Sequence, residues 1–206
     1  MKTSIIKNNM KEFLKRIKNY ISPEPEDPKN DPQFPLMGYM DKESQEVCFN
    51  ELIKSINIQT NDSIADIGCG FGDMYPYLTK YDYTGIDLNS IAIEKCKSRF
   101  PSAEFKEMDL ASLQSKHDWI VSSNLFITPY PMDMMVYISK CVSIMYEQSN
   151  KGVAFNMFSS YGEVQHGYHH YDPIEIFSRM VSQYRTVDLI HSYSKNNFII
   201  SIKKNI

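Results

Sequence analysis

Three glycines at alternate positions, Gly68, Gly70 and Gly72, follow a short apolar strand, Ile64-Ala65-Asp66-Ile67. Asp87 ends a second strand, Tyr83-Thr84-Gly85-Ile86-Asp87-Leu88, 19 positions after Gly68. Residues without Cβ let the backbone turn tightly and approach a ligand closely. A carboxylate at the end of the next strand can accept hydrogen bonds from both hydroxyls of a ribose. Together they describe a nucleoside pocket. The loop reads G-x-G-x-G, whereas the dinucleotide fingerprint is G-x-G-x-x-G with a pyrophosphate on the helix N-terminus. Asp66 precedes the loop and Asp73 follows it. Two acids there repel a pyrophosphate and suit a cationic ligand without phosphate. S-adenosylmethionine, with a sulfonium and an ammonium, is such a ligand.

Three further elements follow in order. Gly85-Ile86-Asp87 closes the second strand, Met108-Asp109-Leu110 follows the third, and Trp119-Ile120-Val121-Ser122-Ser123-Asn124 forms the fourth. With Asp66 to Asp73, these segments resemble the motifs of the class I S-adenosylmethionine-dependent methyltransferases, from roughly Tyr39 to the C-terminus. The resemblance implies a Rossmann-like α/β fold: a mostly parallel seven-stranded sheet, helices on both faces and a C-terminal antiparallel hairpin. It implies that Asp66, Gly68, Cys69, Gly70 and Gly72 hold the methionine part of the cofactor and Asp87 the ribose. Leu88 would cover the adenine, and Asp109 and Leu110 would meet its amine and ring; a helix cap is the competing role for Asp109.

Ligands of open α/β sheets bind at the carboxyl ends of the strands. Asn124 and Phe126 follow the fourth strand, where the fold faces both the sulfonium and the acceptor. Relatives that methylate amino groups of nucleic-acid bases carry an Asn/Asp-Pro-Pro-aromatic tetrad there. This chain has Asn124-Leu125-Phe126-Ile127 instead, which argues against base methylation. The fifth strand ends at Asn156, with Tyr161 beyond it, and both are expected at the acceptor pocket. His166-Gly167-Tyr168-His169-His170-Tyr171-Asp172 is dense in imidazole and phenol. It reads as an acceptor loop with Tyr168 in contact and His169 or His170 as general base, a role suited to imidazole. A surface loop with packed aromatics is the plainer alternative. Adjacent histidines do not form a chelating pair, and no metal is expected. Asn124, Tyr161, His169 and His170 are thus the candidate catalytic residues. Tyr39, Phe126, Asn156, Tyr161 and Tyr168 are the candidate acceptor contacts.

The elements that must position these residues alternate. Strands are expected near 62–67, 82–87, 103–107, 117–122 and 150–156, and helices near 72–80, 89–99, 131–148 and 173–182, after a first helix from Asp41 to about Ser55. Asp41, Asn89 or Ser90, and Asp172 followed by Pro173 supply helix starts. Thr186–Ile190 and Phe198–Ile202 flank Ser194-Lys195-Asn196-Asn197 as an antiparallel hairpin.

Ahead of this lie two other units. Residues 1–21 form a basic amphipathic helix, with Ile6, Met10, Phe13, Leu14, Ile17 and Ile21 on one face. It could dock on its own domain or on a partner copy as a homodimer, cover the pocket as a lid, or meet a membrane surface or nucleic acid. Residues 22–37 carry Pro23, Pro25, Pro28, Pro32 and Pro35 and read as an extended linker. It runs into an apolar patch, Phe34 to Met40, expected to cap the pocket. The methyltransferase-like domain spans 38–206. At 206 residues with 42% hydrophobic and 23% charged residues, the chain suits one soluble domain. A net charge of −3 and pI near 6.0 give no overall footprint for nucleic acid. Four cysteines without C-x-x-C spacing, no secretion signal and no transmembrane run point to reduced thiols in the cytoplasm.

The expectation is an enzyme methylating oxygen or nitrogen of a small molecule, similar to a bacterial subgroup of unknown acceptor. A methyltransferase acting on RNA or protein through the basic helix, and a cofactor-binding module without turnover, are the alternatives.

Overall fold

The computed structural model describes residues 41–130 and 132–204. The expected basic N-terminal helix, the expected proline-rich linker and Tyr39 lie outside these residues.

Helix α1 (Lys42–Ser55) starts on Asp41. Its side chain accepts the Ser44 N–H at 2.8 Å, and Ser44 Oγ accepts the Asp41 N–H in return, a reciprocal pairing that satisfies two end donors. The chain then alternates: β1 (Ser63–Ile67), α2 (Tyr75–Leu78), β2 (Asp82–Asp87), α3 (Ser90–Arg99), β3 (Glu104–Glu107), a 3-10 turn (Leu110–Ser112), β4 (His117–Ser123), α4 (Met134–Gln148), β5 (Ser149–Phe158), α5 (Pro173–Val181), β6 (Thr186–Ile190) and β7 (Asn197–Lys203). The seven strands form one sheet in the order β3-β2-β1-β4-β5-β7-β6. The first five pair in parallel, and β7 inserts antiparallel between β5 and β6.

Successive strand residues point to opposite faces, and the core divides accordingly. Trp119, Val121 and Ala154 pack with Leu52, Leu78 and Cys96 of α1, α2 and α3. Ile120, Val153 and Phe155 pack with Ile138, Val142 and Met180 of α4 and α5. The central strands are covered on both faces, as parallel sheets require.

Three elements differ from the sequence expectation. The helix expected over 72–80 is a single turn, Tyr75–Leu78. Gly72 sits at φ +77, a left-handed value no α-helix continues, so the chain must finish its turn first. The helix expected from 131 starts at Met134, because Asp133 caps the N–H groups of Met135 and Val136. Strand β5 is also longer than expected, its last residues being held by β7 up to the Phe158–Asn197 pair.

Close packing around β2 gives a test. A Cβ on Gly85 would lie 2.5 Å from Phe105 Cδ1 and 2.7 Å from Cε1. Gly85→Ala should therefore lower unfolding stability by about 1–3 kcal/mol in urea titrations; an unchanged midpoint would contradict this packing.

Candidate functional site

The carboxyl ends of β1, β2 and β4 open into one cleft. After β1 the backbone turns through Gly68, Gly70 and Gly72, all at positive φ. The N–H groups of Gly68 and Cys69 donate to the Ile86 carbonyl at 2.8 and 3.1 Å. The Gly70 N–H donates to Asp87 Oδ2 at 2.9 Å, and the Asn89 N–H donates to Asp87 Oδ1 at 2.8 Å. The Asp87 carboxylate thus braces the glycine loop while lining the cleft. Burial raises its pKa, against the pull of these backbone donors.

Asp66, at the end of β1, lines the cleft from below at 2% exposure and accepts the Tyr83 phenol at 3.0 Å. Burial pushes its pKa up to about 7, and the charge of Asp87 adds to the rise. Asp73 is placed differently. It pairs with Arg99 at 2.8 Å outside the cleft lining, so its charge is met there. Cys69 lines the cleft, and the Cys96 thiol beneath it donates to the Gly70 carbonyl at 3.2 Å.

Leu88, Met108 and Leu110 give the cleft an apolar side at the ends of β2 and β3. Asp109 is turned away from it: its two oxygens accept the N–H and hydroxyl of Ser112, capping the 3-10 turn. Gly72 also lies outside the lining, packed against Cys96 and Phe105.

Beyond β4 the chain turns at Asn124, which has φ +56. Asparagine tolerates this left-handed conformation better than most residues. Asn156 of β5 fixes the turn, its Oδ1 accepting the Asn124 N–H and the Ser123 hydroxyl, each at 2.9 Å. Asn124 lines the cleft, whereas Asn156 is fully buried behind it. Leu125 and Ile127 face the cleft; Phe126 between them is buried against the rings of Tyr137 and Phe155.

The histidine-rich loop backs this segment from outside. The His169 N–H donates to the Ile127 carbonyl and the Tyr171 phenol to the Phe126 carbonyl, both at 2.7 Å. The His169 ring stacks on Tyr171. His170 Nε2 accepts the Gln165 N–H at 3.1 Å, and its ring, like that of Tyr168, packs on Phe158. Tyr161, 60% exposed, donates to Asp172. None of Tyr161, Tyr168, His169 and His170 lines the cleft.

The lining includes residues that the sequence reading did not assign to the site: Phe49 of α1, Met74, Thr128, Tyr130 and Tyr137. The available signal was position, since Thr128 and Tyr130 lie in the β4–α4 loop at the sheet's carboxyl edge. Among the described residues no group of three or more His, Cys, Asp or Glu side chains could hold a metal ion. None of their helices is long and apolar enough to cross a membrane.

The buried Asp66 carboxyl predicts a pH signature. An ordinary aspartate loses its proton near 3.8, whereas folded Asp66 keeps it up to about 7. Between those values the folded state binds more protons, so this group's contribution to stability falls as pH rises. Subtracting the urea-unfolding profile of Asp66→Asn from that of the wild type should leave a difference that declines from about pH 4 to 7. A flat difference would contradict the assigned burial.

Comparison with known proteins agrees with this cleft. A family model described as a methyltransferase domain matches residues 64–146, which span the glycine loop, Asp87 and Asn124. A Mycobacterium tuberculosis protein with a provisional methyltransferase name is 26% identical over 166 residues, 74% of this chain and 99% of its own length. Among solved structures, magnesium protoporphyrin IX methyltransferase from Synechocystis PCC 6803, with bound S-adenosylmethionine, superposes with a TM-score of 0.61 at 14% identity, covering 90% of this chain and 88% of that one. The N-methyltransferase NodS from Bradyrhizobium japonicum WM9 superposes at 0.59 and 14% identity, covering 81% and 99%. These two likenesses show the fold. With the glycine–aspartate cleft, the match over residues 64–146 identifies a methyltransferase domain in this part of the chain and supports a class I S-adenosylmethionine-dependent enzyme.

Proposed function

We propose that this enzyme methylates an oxygen or nitrogen of a small molecule. Its cofactor is S-adenosylmethionine, which when bound supplies a methyl group on a sulfonium already poised to leave. The chain's own residues then bind, orient and exclude water. In this reading Asp87 holds the ribose hydroxyls, and Leu88, Met108 and Leu110 cover the adenine. Asp66 offers a carboxylate to the cationic methionine end, the better because Asp73 is already met by Arg99. Asn124, held by Asn156, shapes the wall where acceptor and cofactor meet. Holding reactants in one orientation can supply roughly 7–11 kcal/mol, enough to make positioning the main task of the protein.

One observation carries the acceptor class. The cleft beyond Asn124 is walled by Leu125, Ile127, Tyr130 and Tyr137, and its ionisable acids are Asp66 and Asp87. Apolar and phenolic walls suit a compact organic acceptor. Carboxylates repel a phosphate backbone, whose binding rests on Lys and Arg contacts. The Synechocystis relative is named for a small-molecule acceptor, magnesium protoporphyrin IX, which supports the same class. Residues 38–206 form the catalytic unit in this reading, with 1–21 and 22–37 as an arm ahead of it. The four cysteines are free and buried, which fits the reducing cytoplasm.

Two measurements test this. Asp87→Ala should weaken S-adenosylmethionine binding about a hundredfold or more in calorimetry, the loss of two hydrogen bonds to a charged group; unchanged affinity would refute the ribose assignment. Incubated with methyl-labelled cofactor and an extract of the source cell, the enzyme should place label in the small-molecule fraction. Label confined to RNA or protein would refute the acceptor class.

A further inference from the structure

The glycine loop is gripped from outside as well as from within. Inside, the Ile86 carbonyl and the Asp87 carboxylate take the N–H groups of Gly68, Cys69 and Gly70. The loop's own carbonyls need donors too. The Cys69 carbonyl accepts the Gly72 N–H at 2.9 Å, and the Gly72 carbonyl accepts the Tyr75 N–H at 3.1 Å. The two between them are met by side chains of α3. The Cys96 thiol donates to the Gly70 carbonyl at 3.2 Å, and Arg99 Nη1 donates to the Phe71 carbonyl at 2.6 Å. Cys96 and Arg99 are three residues apart, so both stand on one face of that helix.

The same Arg99 nitrogen pairs with Asp73 Oδ1 at 2.8 Å. One guanidinium therefore bridges the loop from Phe71 to Asp73, across Gly72 at φ +77. Its own place is set by the helix. Arg99 belongs to the last turn of α3, where a cation meets the negative end of the helix dipole, and its guanidinium lies 4.9 Å from the centre of the Phe100 ring. Lys95, one turn earlier, puts Nζ over the Phe71 ring at 4.7 Å. Gly68, Cys69 and Gly70 line the cleft, whereas Phe71, Gly72, Asp73 and Arg99 lie outside the lining. Arg99 thus acts on a bound ligand through the shape of the loop. The loop needs such a hold, because its three glycines have more backbone freedom to lose than other residues. A loop that is ordered only on binding gives back part of the binding energy.

We infer that Arg99 is a positioning residue for the cofactor: by bridging the Phe71 carbonyl and the Asp73 carboxylate, it holds the glycine loop in its binding shape before the cofactor arrives. The charge of Arg99 separates this role from a field effect. Removing a cation beside a site strengthens the binding of another cation. Loss of the guanidinium's field alone would therefore tighten S-adenosylmethionine, a sulfonium. Loss of the loop's hold weakens it, and weakens S-adenosylhomocysteine, whose sulfur is neutral, by the same factor.

Calorimetry on the full chain with both ligands tells the two apart. Arg99→Met, which keeps much of the stem and removes every donor, should raise the Kd of both ligands about tenfold, the loss expected when charge-assisted bonds no longer hold the loop. Arg99→Lys keeps the charge and a donor but not the planar fork, and should recover part of that loss. A contact that only stabilised the fold would lower the urea midpoint of Arg99→Met and leave both affinities as they are, and that result would overturn the inference. Tighter binding of S-adenosylmethionine by Arg99→Met, or a loss confined to one of the two ligands, would overturn it as well. If Arg99→Met does not fold, Asp73→Asn decides, read on the neutral-sulfur ligand. It removes the ion pair and should raise the Kd for S-adenosylhomocysteine by about threefold; an unchanged Kd there overturns the inference.

Discussion

The Asp87 carboxylate is the joint on which the cleft depends. One oxygen takes the Gly70 N–H and the other the Asn89 N–H. The first bond ties the loop after β1 to the end of β2, and the second sets the entry into α3, which Asn89 then caps. An ionised acceptor makes both bonds stronger than neutral ones would be. Gly68 takes φ +74, which side-chain-bearing residues rarely adopt, and a Cβ there would crowd Leu125 Cδ1 at 3.0 Å. Glycine loop, acid and β4 loop are therefore one packing problem with one solution, and that solution leaves a cleft with a carboxylate at its edge.

A second joint, centred on an asparagine, performs the same service on the other side of β1. Asn156 of β5 holds the start of the β4–α4 loop, while Tyr171 and His169 hold its next residues by the Phe126 and Ile127 carbonyls. The wall facing the reaction is thus fixed from behind by groups that do not themselves enter the cleft. In this account those groups act as positioning residues. A histidine whose backbone N–H is committed to Ile127 and whose ring lies on Tyr171 serves packing, and burial lowers its pKa.

Much of this was legible in the chain. The alternation of strands and helices, the acid-ended second strand and the glycine spacing each follow from local rules, so β1, β2, α3 and the hairpin fall close to their expected places. The shortening of α2 was harder to read, because it depends on Gly72 taking a positive φ that glycine permits but does not require. Side-chain direction in irregular segments was not legible either. Leu125 and Phe126 are adjacent and both apolar, yet only Leu125 faces the cleft. Asp109 could equally contact a ligand or cap a turn, and Ser112, three residues on, supplies the N–H and hydroxyl that claim it. Tyr137 reaches the cleft through the packing of α4 against the sheet, which no local pattern encodes.

The most direct test of the account is a crystal structure of the full chain with S-adenosylhomocysteine, the product left by methyl transfer. The account predicts both ribose hydroxyls within hydrogen-bond distance of the Asp87 carboxylate, with the Gly70 and Asn89 N–H bonds to that carboxylate retained. A nucleoside seated away from Asp87, or one bound only after the Gly70 bond breaks, would contradict it.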